Sequence, residues 1–209
     1  MKVRLGFSTG RRLLVLGLLL FGFALPLAAQ SKTETAKYEI LVLGIKIGNM
    51  TAQKVVAGDS VRYVVDSQVK FWLFGDVDLK LLTRSHFAGG KIAKTYSESR
   101  TNRGNFSSKV TWKGSHYAVD AKSYKYSNNT SVKGPLMWCS SKLFFQEPTG
   151  QEIFLSEVYG VAAPIKKIST GVYEVQVEGN TNRYHYQGGK LVKIVVENTI
   201  KDYQVKLVN

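Results

Sequence analysis

Apolar and polar positions alternate with a period of two along most of this chain, and no helical period is visible after residue 30. In residues 172–178, Tyr173, Val175 and Val177 fall on one side and Glu174, Gln176 and Glu178 on the other. Phe106, Val110 and Trp112 repeat the pattern, as do Tyr117, Val119 and Ala121, and then Tyr203, Val205 and Leu207. Such alternation is the mark of strands with one buried face. Residues 38–47 and 61–73 alternate less strictly and read as two longer central strands covered on both faces. Between the runs lie Gly89-Gly90, Gly104-Asn105, Lys113-Gly114, Asn128-Asn129, Gly179-Asn180 and Gly188-Gly189, pairs that supply the positive φ of tight hairpins. The pattern predicts an all-β protein. Its architecture is a single antiparallel meander of about ten strands, forming a strongly curved sheet or a barrel or half-barrel.

Residues 134–163 break the rhythm. Leu136, Met137, Trp138 and Cys139 are followed by Leu143, Phe144 and Phe145, and then by Glu147 and Pro148. Pro148 cannot donate within a sheet, so the local element stops there. This stretch reads as an irregular crossover with a short helical turn near residues 140–145. It is the best candidate for a core plug, and equally for a lid over an apolar cavity.

The first residues follow a different logic. Lys2, Arg4, Arg11 and Arg12 precede an apolar run at residues 13–27, closed by Ala28-Ala29. A basic start, a greasy middle and a small-residue exit form a secretory signal peptide. Residues 1–29 are therefore read as a cleavable leader and 30–209 as a single exported β-rich domain, periplasmic or associated with the outer membrane. An uncleaved anchor is the alternative, but the run is short for a span and Gly17, Gly22 and Pro26 interrupt it.

Charge and cysteine content narrow the partners. The chain carries 29 Lys and Arg against 15 Asp and Glu, a net +14, and losing the leader's four basic residues leaves +10. Export argues against nucleic acid as the reason, and the cations are scattered along strands rather than gathered in a run. A lipid or another anionic envelope component, with peripheral membrane contact, is the partner this balance suits. Solvated outer sheet faces account for the same charge without any partner. The single cysteine, Cys139, cannot form an internal disulfide and reads as a buried, inert thiol.

Signals for catalysis are weak. His86, His116 and His185 lie far apart without metal-ligand spacing, so neither a metal nor a cofactor is expected. Glu147 and Glu157 bracket the irregular segment and could converge as a carboxylate pair. No serine sits in a nucleophile-elbow pattern, and no catalytic residue is assigned.

Three blocks carry a likeness to known sequences: residues 143–148 (Leu-Phe-Phe-Gln-Glu-Pro) with 156–160 (Ser-Glu-Val-Tyr-Gly), residues 182–191, and residues 43–50. They resemble the signature blocks of an uncharacterised family of small exported proteins from Bacteroidetes-type bacteria, classed as a domain of unknown function. The resemblance implies an envelope location and an antiparallel β fold, and it transfers no catalytic residue. A distant likeness to half-barrel lipoprotein carriers is an analogy of fold alone.

The function that follows is non-catalytic binding of an amphiphile, a lipid or an envelope component within the curved sheet. Phe71, Trp72, Phe74, Trp112, Trp138, Phe144 and Phe145 are the candidate lining, with ordinary core packing as the competing role for each. A hydrolase acting on envelope glycans or lipids through Glu147, Glu157 and His185, with His116 as a further candidate, is the first alternative. A small outer-membrane barrel is the second, weakened by polar stretches such as 94–103 and 122–127.

Overall fold

A computed structural model describes residues 31–71, 77–102, 104–122, 126–198 and 202–208. The leader, Trp72 and Phe74 lie outside the described residues, as does the side chain of Phe71. Among the described residues, fifteen strands form one antiparallel sheet. The first nine are β1 (Lys32–Val42), β2 (Ile45–Ala57), β3 (Ser60–Phe71), β4 (Val77–Ala88), β5 (Lys91–Thr101), β6 (Gly104–Trp112), β7 (His116–Lys122), β8 (Ser127–Asn128) and β9 (Ser131–Lys133). After the crossover come β10 (Ile153–Ser156), β11 (Val161–Ser169), β12 (Val172–Val177), β13 (Asn180–Gln187), β14 (Lys190–Glu197) and β15 (Tyr203–Leu207). Strands adjacent in the chain are adjacent in the sheet, except that β8 and β9 both pair with β7, the crossover from β9 to β10 leads to the other end of the sheet, and β15 returns to pair with β1. The antiparallel meander read from the alternation is the observed architecture.

The strand number exceeds the expected ten for local reasons. Residues 38–47 are two strands, not one, because the chain reverses at Leu43-Gly44, where both residues take positive φ (51° and 79°). Leucine is an unusual choice for that conformation, which hid the turn. β8 and β9 are too short to show a period, and β10 lies inside the irregular segment. The long strands are also not covered on both faces: in β3, Tyr63, Val65 and Ser67 are buried while Arg62, Asp66 and Gln68 are exposed. Half-buried outward valines such as Val64 had blurred the alternation.

The curl of the sheet encloses the crossover. In β10 both faces are buried: Phe154 belongs to one apolar cluster, with Tyr38, Tyr173 and Val205, whereas Leu155 belongs to a second, with Ile92, Val110 and Tyr117. β10 thus divides the interior into two apolar halves, with Phe145 touching each. A single 3-10 turn, Lys142–Phe144, falls within the expected helical stretch. Backbone bonds stitch this plug in place. Ile92 N–H donates to Leu136 C=O (3.0 Å), Leu155 N–H to Trp138 C=O (2.8 Å) and Ser140 N–H to Leu155 C=O (3.2 Å).

The two ends of the sheet meet through side chains rather than a backbone ladder. Tyr126 Oη (2.7 Å) and Asn128 Nδ2 (3.1 Å) both donate to the carbonyl of Tyr159, in the turn before β11. Gly160, at φ +65°, lets that turn lie against Val119, where any Cβ would collide with the valine methyl. Apolar side chains face inward and charged ones outward, the reverse of the pattern a lipid-spanning barrel requires.

Candidate functional site

Glu157 is the least expected residue of the interior. It is 1% exposed, at the end of β10, where the core around it is apolar. An isolated carboxylate there would be costly, so its bonding decides its role. Three donors meet it: Ser85 Oγ (2.9 Å) and Ser141 N–H (2.9 Å) on Oε1, and Ser140 N–H (2.8 Å) on Oε2. Ser141 Oγ donates in turn to Ser85 Oγ (2.9 Å), and Cys139 Sγ lies 3.3 Å from Ser141 Oγ. The carboxylate therefore ties the start of the 3-10 turn to the β4 wall. Burial, and after it the charge of Glu157, hold the Cys139 thiol well above its ordinary pKa, which opposes thiolate formation.

Beside this network lies a cavity of about 140 Å3. Met50, Val65, Leu81, Ile194, Val196 and Val205 contribute apolar groups to its wall. Thr83, Ser140, Ser141, Asn182, Tyr203 and Glu157 contribute polar ones, with Thr83 directly opposite Val65 and Asn182 opposite Val196. Ser67, Thr83, Ser85, Ser97 and Ser108 place small hydroxyls on the inner sheet face nearby, and the hydroxyls of Thr95 and Ser108 are buried without a partner. These residues were legible only as alternating strand positions. Their one signal was a hydroxyl where the period calls for an aliphatic.

The aromatic candidates divide. Phe144 lines the cavity and packs edge-on against Tyr38, centroids 5.4 Å apart. Trp138 is buried in the plug with Lys142 Nζ 4.3 Å above its ring, and burial lowers that lysine's pKa. Trp112 stacks on Tyr117 (4.8 Å), and Phe145 contacts Tyr63 (5.8 Å). These three hold the plug and do not line the cavity.

The candidate polar groups are not brought together. Glu147 accepts from Tyr173 Oη (2.9 Å) in a network that shares no residue with that of Glu157. His185 lies between inward-facing Tyr184 and Tyr186 and so points outward, opposite Lys193. Burial first, then Lys193 and Arg183, lower its pKa. His116 is exposed at the start of β7 beside Ser115, and His86 bonds Ser60 Oγ at 2.7 Å. The expected carboxylate pair is therefore absent among the described residues. Sheet alternation alone puts His185 on the face opposite to Glu157.

Comparison with known proteins fits this geometry. Residues 38–208 match the family described as Domain of unknown function (DUF6134). The chain belongs to that family. A search of curated proteins finds no match. Among solved structures, the chain is similar to a beta-barrel-like protein of the Domain of Unknown Function DUF1849 from Brucella abortus. The identity is 10%, with 84% of this chain and 95% of that chain covered and a TM-score of 0.50. Likeness at that identity shows the fold alone, a beta-barrel-like one.

Proposed function

We propose that this member of the DUF6134 family is an exported envelope protein that works without chemistry, binding the apolar end of an amphiphile in the cavity beside Glu157. The observation that carries the reading is the mixed cavity wall, in which apolar Leu81 and Val205 are joined by polar Thr83 and Asn182. A small amphipathic ligand matches such a surface. The leader-like start at residues 1–29 supports export, to the periplasm or the outer membrane's inner face. At about 140 Å3 the space equals one that holds a benzene-sized guest, and it is smaller than an ordinary ligand pocket. A short acyl terminus fits, and a whole lipid does not while the plug is in place. Phe144 is the aromatic that meets the ligand. Hydrolysis through Glu147, Glu157 and His185 finds no support, because the three occupy separate networks and the Glu157 carboxylate is already committed to Ser85, Ser140 and Ser141.

The test is native mass spectrometry of the protein mixed with medium-chain fatty acids, alongside Leu81→Trp, which fills the cavity from the β4 wall. A one-to-one adduct with the wild type, absent from a Leu81→Trp protein of unchanged Tm, is the expected result. No adduct at any chain length, or an equal adduct with the variant, would overturn the assignment.

A further inference from the structure

The opposite face of the same sheet carries a second feature. Arg62, Arg84, Lys94 and Lys109 are all exposed on the outer side of β3–β6. Together with His86 and Tyr96 they border a depression of about 390 Å3. Strand register makes them neighbours. Arg62 stands opposite His86 and His86 opposite Lys94, while in the next row Arg84 stands opposite Tyr96 and Tyr96 opposite Lys109. Two strand spacings separate Arg62 from Lys94 and Arg84 from Lys109, or about 10 Å in each row.

Acidic partners for these four cations are missing among the described residues. Every ion pair there involves other groups: Asp120, across from Lys109, pairs with Lys122 at 4.0 Å, and Glu98 with Arg100 at 3.5 Å. Elsewhere on the outer face, Arg183 is held between Glu174 and Glu197. His86 and Tyr96 keep the four cations from standing directly opposite one another, so the sheet carries the array at little cost and leaves it open to an anionic partner.

We propose that this face docks on a bilayer bearing anionic phosphate headgroups. The array is spread across four neighbouring strands, which suits a plane of phosphates. Long Arg and Lys stems with a Tyr between them are the side chains that settle at a membrane interface. Each cation close to such a surface adds about fivefold to the affinity. The patch lies on the other side of the sheet from the cavity, so cavity binding and docking are tested separately.

Vesicle co-sedimentation decides it, using phosphatidylcholine vesicles with and without one third phosphatidylglycerol, at low and at high salt. The expected result is binding to the anionic vesicles alone, lost at high salt. Arg84→Glu with Lys94→Glu should weaken it at least tenfold, while Lys166→Glu with Lys190→Glu, of equal charge change, stays within twofold. Should the first pair fail to fold, Arg84→Gln with Lys94→Gln makes the same comparison with a smaller loss. Equal losses from both pairs would reduce the effect to net charge and overturn the assignment. So would retention on a sulfated polysaccharide column with no vesicle binding, since the partner would then be an acidic glycan.

Discussion

Replacing Glu157 with Gln tests the central structural claim, that a buried carboxylate anchors the plug to the sheet. The amide oxygen can keep the places of Ser85 Oγ and Ser141 N–H, both 2.9 Å from Oε1 in the wild type. Its NH2 group then faces the N–H of Ser140, which lies 2.8 Å from Oε2, and two donors cannot bond. The Ser140 N–H keeps its 3.2 Å bond to the Leu155 carbonyl, but the new amide NH2 is left buried against a donor, a loss of about 1–3 kcal/mol. The two surviving bonds change from charge-assisted to neutral, a loss of about 1 kcal/mol each. Burying an amide instead of a charge returns part of this, leaving a net destabilisation of about 2–4 kcal/mol. In a domain of this size that lowers Tm by about 4–16 °C. Urea unfolding followed by tryptophan fluorescence reads it directly, because Trp138 sits in the plug. The midpoint should fall with an unchanged m-value, and Glu174→Gln on the outer face should shift it far less. A Glu157→Gln protein with the wild-type midpoint would refute the anchoring argument, showing that the carboxylate's bonds merely balance its desolvation.

Other outcomes follow from the same geometry. Cys139, fully buried with its pKa raised by burial, should resist thiol reagents in the native protein and react in step with urea unfolding. Burial pushes Tyr38 and Tyr63 up to about 12 and raises Tyr184 and Tyr186 further. Stability held below the unfolded tyrosine value of about 10 should therefore fall as pH rises through 10 to 12, with tyrosinate absorbance appearing together with loss of the near-ultraviolet dichroism. His185 has a lowered pKa, so its contribution is present above about pH 6.5 and lost as pH falls below it. The difference in stability between pH 7.5 and pH 5 should shrink in His185→Gln. Gly160→Ala combines a positive φ with a clash on Val119 and should open the seam, read as a loss of about 2 kcal/mol or more and faster amide exchange in β7 and β11.

The alternation at Tyr173, Val175 and Val177 and the Gly-Gly pairs determined the all-β meander, because period and turn chemistry are local properties of a strand. The same local logic placed the helical turn near Ser140 and marked residues 134–163 as plug or lid. It failed at Leu43, where tertiary pairing of β1 with β2 imposes a backbone conformation that leucine does not advertise. It also could not say whether the sheet closes, since the seam rests on Tyr126, Asn128 and Gly160 meeting across more than thirty residues. Glu157 was visible in the sequence as one of two glutamates bracketing the irregular segment, a candidate for a carboxylate pair with Glu147. Its burial, its pairing with Ser85 and Ser141, and its separation from Glu147 arise from how the crossover folds into the curl. The basic array was equally hidden: Arg62, Arg84, Lys94 and Lys109 are scattered along the chain, and antiparallel register alone makes them one surface. Local pattern in the chain settled the β class, most of the hairpins and, where alternation is strict, the buried face of a strand. Tertiary structure decided which of those faces meet, because contacts between distant strands depend on register and curvature, which no single segment encodes.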